Sequence, residues 1–192
     1  SGFVLDGAGA TLASLTAGAD VTAKQANLTD AAQKVTTDTY AQPQNVTVST
    51  SMSSPGASTL IAEQGLAHVM SLDFTNPTSS AVKVTSLKLA RTGVSSDTTL
   101  AAVYLFDGYK RLSDSATVSS GVISWSDTGG IFTIPAGGKS TVAIRSNIAA
   151  STNGQTVGVK LSAASDVGFS GSFAAAGSMP LSSPMHTIAS LP

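Results

Sequence analysis

The sequence contains no cysteine. That absence excludes disulfides, thiolate nucleophiles and cysteine-based metal sites together. Charge is scarce as well: Asp, Glu, Lys and Arg make up 11% of the 192 residues, against roughly 25% in an average soluble domain. The net charge is −1 and no stretch is basic, so binding to nucleic acid by counterion release has nothing to work with. An anionic membrane surface is excluded on the same ground. No apolar run reaches the roughly 18 residues of a transmembrane helix, and no signal-peptide pattern stands in residues 1–42.

What fills the gap is small and polar. Ser and Thr are plentiful, Gly adds 18 residues, and hydrophobic residues still reach 42%, enough for a core. A surface of Ser, Thr, Ala and Gly suits a protein that packs against neighbours or sits outside the cell, because it lacks the net charge that keeps cytoplasmic proteins apart. The expected location is therefore secreted, at the cell surface or extracellular.

The chain divides near Pro43. Residues 1–44 are rich in Ala, Thr and Gly, with scattered apolar residues, and read as an extended N-terminal arm. Leu28, Ala31, Ala32 and Val35 fall at helical spacing within it. From residue 45 to 192 the pattern changes to period two. Val46–Ser49, His68–Phe74 and Val82–Leu89 alternate; Val103–Phe106, Val122–Trp125, Ile131–Ile134, Thr141–Ile144, Val157–Leu161 and His186–Ile188 follow. Turn pairs punctuate them at Asn76-Pro77, Asp107-Gly108 and Pro135-Ala136-Gly137-Gly138. Eight to ten short strands at about 8–12-residue spacing predict an all-β fold: a two-sheet antiparallel Ig-like β-sandwich. Val84, Leu87, Leu89, Leu105, Trp125, Ile134, Ile144 and Leu161 are the expected core. No helical segment interrupts residues 45–192, and no repeat is evident.

Sequence words within residues 45–190 carry a resemblance. They are Lys83-Val84-Thr85-Ser86-Leu87-Lys88-Leu89, Arg91-Thr92-Gly93-Val94-Ser95-Ser96-Asp97 and Val103-Tyr104-Leu105-Phe106-Asp107-Gly108. Arg111-Leu112-Ser113-Asp114, Phe132-Thr133-Ile134-Pro135-Ala136-Gly137 and Gly154-Gln155-Thr156-Val157-Gly158-Val159 complete the set. Together this stretch resembles a β-sandwich module of secreted, cell-wall-associated surface proteins of candidate-phyla bacteria (Patescibacteria). The resemblance implies a cell-wall-associated role without catalytic residues. Relatives of that kind often carry a peptidoglycan-binding segment upstream; here the Ala/Thr-rich arm stands in its place.

Chemistry-bearing residues are few and dispersed. Two His, a lone Glu63 and well-separated Asp residues form no convergent set, and no Gly-x-Ser-x-Gly word is present. His68 and His186 read as surface or edge-strand residues, and no catalytic residue, cofactor or metal site is assigned. Asp107, Asp114 and Asp127 are single carboxylates, unlike a calcium loop; Asp107-Gly108 reads as turn chemistry. Asn27-Leu28-Thr29 and Asn45-Val46-Thr47 are glycosylation sequons. Tyr104, Tyr109 and Trp125 are the aromatic residues to weigh as a sugar platform, although Trp125 alternates with Ser124 and Ser126 as a core residue would. The expected function is a structural subunit of an extracellular polymer, a filament or pilus-like fibre or a surface layer. Phe3, Val4, Leu5, Leu12 and Leu15 of the arm are its assembly residues, and the partner is a second copy of the chain. The alternative is a monomeric adhesion or cell-wall/carbohydrate-binding module of a larger surface protein, with cell-wall glycans as partners.

Overall fold

A computed structural model describes residues 44–191. The assembly residues Phe3, Val4, Leu5, Leu12 and Leu15, the helical patch at residues 28–35 and the Asn27 sequon lie outside the described residues. The described chain is all-β, with two mixed sheets.

The first sheet has six strands: β1 (Gln44–Thr50), β3 (Ala67–Thr75), β5 (Leu100–Asp107), β6 (Lys110–Arg111), β9 (Lys139–Ile148) and β12 (Phe173–Ala176). Their order is β12-β1-β3-β9-β5-β6. The second sheet is organised around β4 (Val82–Thr92). One edge of β4 is shared by β8 (Phe132–Ile134) and β7 (Val122–Ser126), which pair with its first and second halves. Its other edge is shared in the same way by β11 (Val167–Phe169) and β10 (Thr156–Leu161). Beyond β10 lie β13 (Leu181–Ser182), β14 (His186–Ala189) and, last, β2 (Thr59–Ile61).

Alternation explains both sheets. Met70 and Leu72 of β3 face Ile144 and Val142 of β9, Phe74 continues the row, and all are buried. In β4 the buried set is Val82, Val84, Leu87 and Leu89, so the buried parity changes between Val84 and Leu87. That is where the partner strand changes from β8 to β7, which lets one long strand serve two short ones. The eight expected core residues are all buried and belong to one cluster fed by both sheets. Phe74 of the first sheet meets Phe132 of the second edge to face at 5.1 Å. Burying each large apolar side chain contributes roughly 1.5–3 kcal/mol relative to exposure.

Two expectations need correction. Pairing is not antiparallel throughout: β12 joins β1 in parallel, and β2 joins β14 in parallel. Each parallel partner is far away in sequence, so the chain has length enough to return in the same direction, which a tight hairpin forbids. Nor are the histidines edge residues. His68 sits half-buried on β3, an inner strand of its sheet, opposite Arg145 of β9, and His186 is fully buried.

Turn residues behave as their chemistry requires. Ser120 and Gly121 both have positive φ, 51° and 75°, and Ser119 and Val122 exchange main-chain hydrogen bonds at 2.8 and 2.9 Å. This is the two-residue hairpin turn that leads into β7. Gly93 ends β4 at φ 96°, where a Cβ would collide with the Thr156 carbonyl.

Candidate functional site

The described residues offer two sites, joined by Arg111. The first is a cleft between the sheets. After the β5–β6 hairpin the chain turns back along the free edge of β5. Leu112 N–H donates to the Leu105 carbonyl, Leu105 N–H to Ser113 Oγ, and Val103 and Ala116 exchange main-chain bonds at 2.8 Å. The 111–116 segment therefore finishes the edge of the first sheet. The chain then crosses to β7, on the edge of the second. Between segment and strand lies a cavity of about 560 Å³, lined by Arg111, Ser113, Asp114, Ser124, Trp125 and Asp127 among others.

The edge of β7 that faces this cleft is open. Asp127 N–H donates to Thr85 O and Arg91 N–H to Gly121 O, which sets the phase of the β4–β7 ladder. Residues 123 and 125 direct their main-chain groups to β4, and 122, 124 and 126 direct theirs away. Val122 is satisfied by the Ser119 turn. Ser124 and Ser126 are exposed, and among the described residues β7 pairs with no strand but β4. Beside them Trp125 is 7% exposed, and its indole N–H is buried with no acceptor among the described residues. Such a donor costs roughly 1–3 kcal/mol while unpaired. The cleft thus has unpaired main-chain groups on one wall and an aromatic, partly apolar floor.

The second site is the outer face of the six-stranded sheet. Arg111 lies over the Tyr104 ring at 5.6 Å, Tyr104 meets Phe106 edge to face at 6.5 Å, and Arg145 lies over Phe106 at 5.1 Å. His68 is the cross-strand neighbour of Arg145. The row crosses β6, β5, β9 and β3. Arg111 has a carboxylate, Asp114 at 3.2 Å; Arg145 has none among the described residues, and its Nε is buried without an acceptor. Burial first, and the Arg145 charge second, hold the His68 imidazole below the ordinary histidine range, against a main-chain hydrogen bond at Met70 that raises it. A guanidinium stacked on a ring and without a carboxylate partner is a group that can receive an oxyanion.

The residues singled out in the sequence scatter across the fold. Asn45 lies exposed near the start of β1. Tyr109, at the β5–β6 hairpin tip, is 98% exposed, while Tyr104 lies under Arg111 and Trp125 belongs to the core cluster, so the three rings form no common platform. Asp114 is taken by Arg111, and Asp127 holds its own turn through Gly129 N–H at 2.8 Å. No three His, Asp or Glu side chains converge among the described residues. His186 donates from Nε2 to the Val69 carbonyl at 3.0 Å, with Ser58 Oγ 2.9 Å from Nδ1. Arg145, Phe106, Ser124 and Ser126 escape sequence reading, because only the strand register brings the first two together and only the missing neighbour makes the last two available.

No protein-family model matches the chain, and a search of curated proteins finds no match.

Proposed function

We propose that this protein is a structural subunit of an extracellular polymer, a filament or a surface layer. In this reading an Ig-like sandwich carries an N-terminal arm, and the arm joins one copy to the next. One observation carries it. β1, the strand into which the N-terminal segment leads, lies beside the edge strand β12, whereas β7, which among the described residues pairs only with β4, stands over the opposite, β5–β6 edge. A connector leaving one edge and an acceptor on the other make a heterologous contact, which propagates instead of closing on a twofold. The low charge of the chain allows such subunits to pack closely without repulsion. The resemblance to cell-wall-associated surface modules agrees with an extracellular place. Deleting residues 1–42 tests the reading. The full chain should assemble in light scattering and electron microscopy, and the truncated chain should keep its β-sheet circular dichroism while remaining monomeric. Equal assembly by both would sink it.

A second reading, an adhesion module for cell-wall glycans, is favoured by the unpaired Arg145 beside Tyr104 and Phe106. Acidic glycans retained on immobilised protein, with Arg145→Gln abolishing retention, would support it; no retention by the unsubstituted chain would dismiss it.

A further inference from the structure

We infer that the cleft beside β7 is the acceptor for an extended strand of a second copy, and that its occupant is the Phe3-Val4-Leu5 segment. This rests on the polymer reading above and names the two surfaces that meet. Four observations bear on it. Ser124 and Ser126 present main-chain donors and acceptors at strand spacing with no partner among the described residues, which is the template a β-strand adds to. The facing wall, the 111–116 segment, is already bonded to β5, so an added strand would lie between the sheet edges without displacing a pair. The Trp125 indole N–H has no acceptor among the described residues, and a docked main-chain carbonyl is a group that would supply one. Finally, some 40 residues separate Phe3 from β1; fully extended they reach at most about 140 Å, well beyond a domain whose radius of gyration is near 15 Å.

Side-chain chemistry selects the segment. Phe3-Val4-Leu5 is the densest run of large apolar residues ahead of β1. Alternation across the new strand would set Phe3 and Leu5 on the Trp125 side, toward Leu112 and Ile131 of the cleft, and Val4 on the outer row with Ser124 and Ser126. Arg111 and Asp114 of the cleft neutralise each other, and Asp127 is held by the Gly129 N–H of its own turn.

The absence of cysteine makes the test clean. Val4→Cys is combined in the full chain with Ser124→Cys or with Ser126→Cys, assembled, and oxidised mildly. Directly opposed strand residues stand about 4.5–5.5 Å apart at Cα, within the range a disulfide spans. A double variant should give a ladder of covalent oligomers on non-reducing gels, whereas each single variant stops at dimers. A ladder with Val4→Cys plus Thr59→Cys on β2, and none with either β7 position, would move the acceptor to another edge and overturn the inference while keeping the polymer reading. A crosslink confined within single chains overturns the donation between copies. Absence of any assembly by the unsubstituted chain overturns the polymer reading and the inference with it.

Discussion

The Nε2–H of His186 donates to the main-chain carbonyl of Val69 at 3.0 Å, joining a strand of the second sheet to the middle of the first. A carbonyl only accepts, so the hydrogen sits on Nε2. Replacing the ring by one of similar shape and no donor leaves the Val69 carbonyl buried and unpaired. His186→Phe should lower stability by about 2 kcal/mol, read as a shifted urea midpoint at unchanged slope. Ser58→Ala, which removes only the partner of Nδ1 and leaves the bond to Val69 in place, should have a smaller effect.

His68 predicts a pH dependence of stability. Burial and the Arg145 charge favour its neutral form in the fold. The unfolded chain therefore takes the proton first, and stability falls as pH drops below about 6.5, the ordinary histidine value. The loss continues until the folded-state value is passed. His68→Gln should flatten the melting temperature between pH 7 and pH 5, and an unchanged slope would show that His68 is not responsible.

Asp97 controls a lower window. The Gly121 N–H at 3.0 Å is the main influence holding its carboxyl below the usual range; burial opposes it, and Arg91, at 3.1 Å, adds to it. Asp73 is shifted the same way: burial raises it, but hydrogen bonds from Thr141, Lys139 and Ser51 outweigh that. Depressed carboxyl values stabilise the fold above about pH 3.9, and the gain is lost as pH falls through the folded values. Asp97→Asn should melt lower than the unsubstituted protein at pH 7, with the gap closing in acid.

At the turn into β7, Ser120 occupies a left-handed conformation that favours Asn and Gly. Ser120→Asn creates an Asn-Gly pair and should raise stability by about 0.5 kcal/mol. Ser120→Val should lower it by about 1–2 kcal/mol. Differential scanning calorimetry of the pair checks the sign of both.

Much of the fold was legible because strands such as β3, β4, β9 and β10 alternate over many residues and stop at recognisable turns. The short strands were not. Phe173–Ala176 contains three alanines, and Thr59–Ile61 is too brief to show a period; each is a strand only because a distant edge receives it. The parallel pairs stayed hidden for the same reason, since direction is a property of two segments. Within the candidate site, Trp125 could be read as core from its alternation. The open edge at Ser124 and Ser126 could not, because a vacancy beside a strand leaves no mark in that strand's residues. The cation and ring at Arg145 and Phe106 lie almost 40 positions apart and become neighbours only through the β5–β9 register.

The shared edges of β4 carry a kinetic consequence. Its eleven residues are flanked only once segments 122–134 and 158–169 have both arrived, from opposite sides. Neither arrival is local, and each must meet the entropy of closing a long loop before any pairing rewards it. The chain should therefore fold late and slowly relative to a helical protein of its size. Until β4 is enclosed, a long strand with one apolar face and two bare edges is the segment most ready to capture the wrong neighbour.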